Sequence, residues 1–270
     1  VAVEDTLAVE EPLEIRLVFG PQAERRQQTI SLTMRTPGHD AELAAGFLFT
    51  EGIIRSGEEI AGLKSAGPPV GPGGYRNVIR VELRPEVEVD LGRLQRHFYT
   101  TSSCGVCGKT SLEALAPFGQ RPALEDELRV EPEVVYALPD ALRAAQEVFG
   151  QTGGLHACGL FDAEGRLLAS REDVGRHNAL DKLIGSQLLE GRLPLRGRII
   201  LLSGRASFEL LQKAFVAGAP LVAAVGAPSS LAVELADRFG ITLIGWLRGE
   251  RFTVYTHGER IRLSERPSQE

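Results

Sequence analysis

The sequence predicts an α/β protein in which a smaller α+β unit, residues 1–97, precedes an α/β domain, residues 98–270. Three observations carry that expectation. In the last third of the chain, apolar runs of strand length alternate with helix-patterned segments of about a dozen residues, and strands joined through helices pair in parallel. Two of those runs, "RIILLS" and "PLVAAVG", are apolar throughout, as strands covered on both faces require. The opening third lacks this rhythm, with strand and helix patterns arranged around a Gly- and Pro-rich stretch.

Taken in order, "PLEIRLVFG" and "RRQQTISLTMRTPG" alternate as two strands of a hairpin turning around "GPQAERR". Asp40 is placed to cap a helix over "AELAAGFLFTEGII". "GLKSAGPPVGPGGYRN" reads as loop and "VIRVELRPEVEVD" as strand. An extended "HFYTTSS" leads into "CGVCG", and Thr110 with Glu113 has the spacing of a capping box at a helix start. "PDALRAAQEVFGQTGG" is helical up to its glycines, "LHACGLFDAEGRLLASRED" is a hairpin turning at "DAEG", and "VGRHNALDKLIGSQLLEG" is helical. The rest runs strand "GRIILLSG", helix "ASFELLQKAFVAG", strand "PLVAAVG", helix "SSLAVELADRFG", then strands "ITLIGWLR" and "RFTVYTH".

With 43% hydrophobic residues over 270 positions, the chain can build a real core. No apolar run approaches the roughly 20 residues of a membrane helix. The opening "VAVEDTLAVEEPLEIRLV" lacks the basic-then-apolar signature of a secretion signal, so a cytoplasmic location is expected. A formal charge of -6 argues against general nucleic-acid binding, which needs clustered positive charge. Three cysteines, Cys104, Cys107 and Cys158, are too few for a disulfide scaffold and point to reactivity or metal.

In open α/β sheets ligands bind beyond the carboxyl ends of the strands. Those ends are "SGRAS", "GAPSS" and "GWLRGER", which nominate Ser203, Gly204, Arg205, Ser229, Ser230 and the run Trp246 to Arg251. The first two open helices, where unpaired N–H groups favour an anion such as phosphate. The same residue types also make ordinary turns and caps. A second polar concentration, Asp173, Arg176, His177, Asn178 and Asp181, surrounds another helix start. His39, His97 and His257 are read as structural.

Four chemistries compete for "CGVC". Zinc could take Cys104, Cys107, His156 and Cys158, but the deaminase signature H-x-E followed by P-C-x-x-C is reversed here, and "HAC" lacks its glutamate. A thioredoxin-type dithiol would not follow about a hundred residues of other structure. "SCGVCGKT" misses the phosphate-loop pattern because Ser103 replaces its first glycine. Sulfur carriage needs an accessible, activated thiolate without bulky neighbours, which Gly105, Gly108, Lys109 and the expected helix start at Thr110 supply. Cys104 and Cys107 are therefore the preferred sulfur-handling pair, and Cys158 is expected to be a buried strand thiol.

The motifs "MRTPGHDAELAAGFLFTEGII", "TSSCGVCGK", "GGLHACGLFD", "EDVGRHNALDKLIG", "LLSGRASFELLQKA" and "GWLRGERFTVYTH", in this order, resemble the FdhD family of formate dehydrogenase accessory sulfurtransferases. The resemblance implies a protein that accepts persulfide sulfur from a cysteine desulfurase. It implies delivery to a molybdenum or tungsten bis(molybdopterin guanine dinucleotide) cofactor needed by formate dehydrogenase. The persulfide-bearing cysteine falls on Cys104 and its companion on Cys107. The cofactor-contacting stretch falls on Trp246, Leu247, Arg248, Gly249, Glu250 and Arg251, with Trp246 standing where many members carry Phe. The resemblance further implies a cytidine-deaminase-like, zinc-free larger domain, a homodimer and no resident metal. The alternatives are a non-catalytic cofactor-binding chaperone and a zinc-dependent deaminase-like enzyme.

Overall fold

β1 (Glu11–Phe19) buries Leu13, Ile15 and Leu17, every second residue, so one face of the strand is apolar. The computed structural model describes residues 4–90 and 126–262. β2 (Arg26–Arg35) returns antiparallel, pairing Phe19 with Arg26 and Glu11 with Arg35, which is the expected hairpin. β3 (Ile60–Val70) and β4 (Tyr75–Leu83) complete a four-stranded sheet of order β2-β1-β4-β3, with β1 and β4 parallel. Most of β3 was expected to be loop. It carries Pro68 and Pro69 because it is an edge strand, where one side needs no ladder, and its register slips between Ala66 and Pro69.

α1 (Asp40–Thr50) covers this sheet through Leu43, Ala44 and Leu48, which join Leu13, Ile15, Ile30, Ile79 and Val81 in one core. Asp40 is not the cap. His39 holds the N-cap position with a left-handed φ of 57° and makes no side-chain cap bond. The Asp40 carboxylate instead accepts from Arg35 Nε at 2.9 Å and Nη2 at 3.0 Å. Arg35 is fully buried, and an uncompensated buried guanidinium costs more than an uncapped helix amide.

α2 (Pro132–Ala144) starts earlier than expected, with Pro132 in its first turn, where a missing N–H costs nothing. Pro139 lies in its interior, tolerated because Val135, Leu138 and Leu142 on either side are driven into the core. α3 (Glu147–Thr152) is a separate short helix, and α4 (Arg176–Leu189) follows later in the chain.

β5 (His156–Phe161), β6 (Leu167–Asp173), β7 (Ile199–Leu202), β8 (Leu221–Ala224), β9 (Thr242–Arg248) and β10 (Arg251–Thr256) form a six-stranded sheet. Its order is β10-β9-β8-β7-β5-β6. β7, β8 and β9 are parallel, as the alternation of strands with helices predicts, while β5 and β10 are antiparallel to β7 and β9. The crossovers are α5 (Phe208–Val216) and α6 (Ser230–Phe239), packed against each other with the Phe215 and Phe239 rings 4.3 Å apart.

The chain divides into two compact units, each discontinuous in sequence. One takes the described residues of Val1–Phe118 with Glu147–Ala157 and Arg171–Leu193, and the other takes those of Gly119–Gln146, Cys158–Ser170 and Pro194–Glu270. The expected boundary at 97/98 lies outside the described residues. The expected 98–270 domain is not one continuous piece, because α3 and α4 belong with the first sheet. The reason is α4's crossing of α1, where a Cβ on Gly46 would stand 1.9 Å from Asp181 O and one on Gly185 1.9 Å from Glu42 O. "HFYTTSS", Cys104, Cys107 and the helix expected at Thr110 also lie outside the described residues.

Candidate cofactor site at the strand carboxyl ends

β7 ends at Leu202, and Ser203, Gly204, Arg205, Ala206 and Ser207 lead into α5. β8 ends at Ala224, and 225–229 lead into α6. The two turns are bonded side by side. Val225 N donates to Leu202 O at 3.1 Å, Gly226 N to Gly204 O at 2.9 Å, Ala206 N to Ala227 O at 3.2 Å and Ser229 N to Ala206 O at 2.9 Å. This lacing requires glycine at 226, since a Cβ there would meet Gly204 O and the Arg205 stem at 3.0 Å. β9 joins the same floor through Trp246 N, which donates to Gly226 O at 3.1 Å. Gly245 lets it approach, because a Cβ would lie 2.8 Å from the Pro228 ring and 3.0 Å from that of Tyr255.

At Trp246 the backbone turns left-handed, with φ 54°. The ladder is irregular here: Thr253 pairs with Gly245 and Arg251 with Arg248, so β9 carries an extra residue. Such a bulge re-aims a side chain, and Trp246 stands 48% exposed. The Arg248 guanidinium lies over its ring, 5.3 Å from the centroid. Gly249, at φ 54°, and Glu250 make the two-residue turn into β10, which sets Arg248 directly opposite Arg251. Like charges opposed across a ladder repel, so this hairpin tip is electrostatically suited to an anion.

The structure thus brings Ser203, Gly204, Arg205, Ser229 and Trp246 onto one hydrogen-bonded floor, with Arg248, Gly249, Glu250 and Arg251 at the adjoining exposed tip. Not every nominated side chain faces outward. Leu247 is fully buried and anchors β9 in the core. Ser229 accepts from Ala232 N at 3.3 Å and so caps α6, while Ser230 is its exposed first residue. Ser207 closes the "SGRAS" strand end but was not singled out within it. It sits at the N-cap of α5 without a side-chain cap bond, and its Oγ is buried with no hydrogen-bond partner. The sequence signal for it was there, a serine directly before the apolar helix pattern. Tyr255 was also missed, because only the pairing of β10 with β9 brings its ring to Gly245.

The polar concentration at Asp173 has a different character. Lys182 and Asp173, both almost wholly buried, form an ion pair at 2.7 Å. Asp173 also accepts from Thr36 N, Gly175 N and Asn178 Nδ2, and Lys182 donates to Thr36 O at 2.8 Å. Asn178 Nδ2 reaches Met34 O, and Thr50 Oγ1 donates to Asp181 at 2.8 Å. These groups bind β2, α1 and α4 together within one unit and are spent on structure. His156 stands near this charge. Burial, reinforced by the Arg176 guanidinium, pushes its imidazole below the ordinary value, with Asp173 opposing. Among the described residues no three His, Cys, Asp or Glu side chains are placed to hold a metal ion, and none of the described helices is long and apolar enough to cross a membrane. Cys158 is buried on β5, 2% exposed, as expected.

A model of the FdhD/NarQ family matches residues 8–262. The sulfur carrier protein FdhD of Streptomyces avermitilis is 51% identical over 268 residues, covering 98% of this chain and 92% of that protein. The protein of the same name from Mycobacterium tuberculosis is 50% identical over 262 residues, covering 95% and 92%. That from the archaeon Saccharolobus solfataricus is 42% identical over 257 residues, covering 95% and 91%. Among solved structures, a chain described as a formate dehydrogenase accessory protein, from Desulfotalea psychrophila, aligns with a TM-score of 0.69 and 29% identity over 95% of this chain and 91% of that one. With matches that run nearly end to end, the chain belongs to the FdhD/NarQ family.

Proposed function

We propose that this protein is a cytoplasmic sulfurtransferase that takes sulfur from a cysteine desulfurase onto Cys104. It passes that sulfur to the molybdenum or tungsten bis(molybdopterin guanine dinucleotide) cofactor destined for formate dehydrogenase. The observation that carries the cofactor half of this reading is Trp246. It is a half-exposed aromatic held by a left-handed backbone beside a floor of strand ends, with paired arginines at its edge. A flat apolar face flanked by guanidinium groups and helix starts suits a purine joined to phosphates. The sulfur half rests on "CGVC" and on the relatives, which are sulfur carrier proteins. The six-stranded sheet is read as zinc-free and cytidine-deaminase-like, and the protein as a homodimer.

In the first step the Cys104 thiolate attacks the outer sulfur of the desulfurase persulfide. The desulfurase S–S bond breaks, its cysteine leaves as thiolate, and Cys104 carries the persulfide. Release as a sulfide ligand takes two electrons. The Cys107 thiolate supplies them by attacking the inner sulfur: hydrosulfide departs toward the metal, Cys104 and Cys107 close a disulfide, and a cytoplasmic dithiol reopens it.

Mass spectrometry after incubation with a cysteine desulfurase and cysteine tests this. The parent gains one sulfur atom per transferable site and Cys104→Ala gains none. Cys107→Ala gains sulfur but releases no hydrosulfide. Full labelling of Cys104→Ala would sink the assignment.

A further inference from the structure

We propose that Arg248 is a specificity-determining residue of the nucleotide site: it covers the face of Trp246 until a phosphate draws it off, so a bare base is disfavoured and a phosphorylated one admitted. This rests on the guanine nucleotide binding at Trp246 proposed above. The Arg248 guanidinium, 5.3 Å from the Trp246 centroid, occupies a position a stacked base would need. The ring is 48% exposed, so a ligand has access to it and must contend with the arginine already there.

Arg248 has reason to be movable. Among the described residues neither Arg248 nor Arg251 has a carboxylate within ion-pair distance, and the two face each other directly across the ladder. On the ring, Arg248 gains only the small cation–π attraction of an exposed site. A phosphate offers it charge-assisted, bidentate hydrogen bonds and relieves its repulsion with Arg251. The exchange needs only rotation of a long side chain, because the backbone at Trp246 and Gly249 is already turned to present both residues outward. A nucleoside must displace the guanidinium and give nothing back. A nucleotide displaces it and provides its next partner.

The chain has one tryptophan, so fluorescence excited selectively at tryptophan, to the red of tyrosine absorption, reports on this ring alone. Guanosine and guanosine 5′-diphosphate are titrated into the full chain and into Arg248→Ala, Arg248→Gln and Arg248→Lys, with thermal melts to establish folding. Removing the guanidinium should tighten guanosine about two- to fivefold and weaken the diphosphate about tenfold, with Lys intermediate. The emission of unliganded Arg248→Gln should also differ from the parent. Guanosine affinity that stays the same or weakens in both the Ala and Gln variants, while the parent binds the diphosphate, overturns the role of Arg248 alone. A parent that binds neither compound overturns the nucleotide placement and this inference with it. If Arg248→Ala melts early, the Gln and Lys variants decide.

Discussion

His156 begins β5 half-buried, where burial and the nearby Arg176 hold its imidazole below the ordinary value of 6.5. A histidine harder to protonate in the folded chain than in the unfolded one favours unfolding wherever only the unfolded chain binds the proton. Its contribution is therefore intact above about pH 6.5 and is lost as pH falls toward the depressed folded value. Urea midpoints measured from pH 8 to pH 5 should decline for the parent, and His156→Gln should flatten that decline. An unchanged slope would show that His156 does not set it. At this scale the sequence was legible where chemistry and exposure coincide. Trp246, Arg248 and Arg251 stand out as an aromatic and two cations in a strand-end run. It was less legible where two roles share one residue type. Ser207 and Ser229 both precede helices, yet Ser229 caps its helix and Ser207 leaves a buried hydroxyl without a partner. Leu247 fell inside a nominated run because the bulge that sends Trp246 outward and Leu247 inward is invisible without the pairing of β10.

The crossing of α1 and α4 is set by two glycines whose backbones nearly touch. A methyl group on Gly46 would stand 1.9 Å from Asp181 O, and the atom it meets is backbone, which cannot rotate away. Gly46→Ala must push the helices apart, opening the Leu43 and Leu48 core and straining the buried ties of Asp173 to Thr36 and Lys182. Overpacking of this kind costs about 3 kcal/mol or more, so denaturant titration should show a large fall in midpoint. A midpoint that is unchanged or raised, as alanine at an exposed helix glycine should give, would contradict the crossing geometry. Elements with clean periodicity, such as the β1–β2 hairpin and the β7 to β10 alternation, were legible in the sequence. β3 was not, because Gly and Pro suit a loop and an irregular edge strand equally well. α2 was misplaced because Pro139 looks like a helix start when nothing reveals that its flanks are buried.

For the whole molecule, the grouping of α3 and α4 with the first sheet could not be read linearly, since it depends on contacts between residues more than a hundred positions apart, such as Thr50 with Asp181. What the sequence did separate is the proposed thiol chemistry from the proposed nucleotide holding: the "CGVC" pair lies in one stretch and the strand-end residues in another. This gives a way to distinguish a sulfur carrier from a chaperone that only holds the cofactor. Cys158, 2% exposed on β5, should resist alkylation in the native chain, so brief iodoacetamide treatment should modify no more than the other two thiols. The alkylated protein should bind guanosine diphosphate like the parent, yet accept no sulfur from a desulfurase and fail to activate formate dehydrogenase in a reconstituted maturation assay. Trp246→Ala should show the converse. It should accept sulfur at Cys104 normally but bind guanosine diphosphate roughly five- to a hundredfold more weakly, given a stacking contribution of about 1–3 kcal/mol. A chaperone would need only the second capacity, so alkylated protein that still activates the client would refute sulfur carriage while leaving the nucleotide site standing.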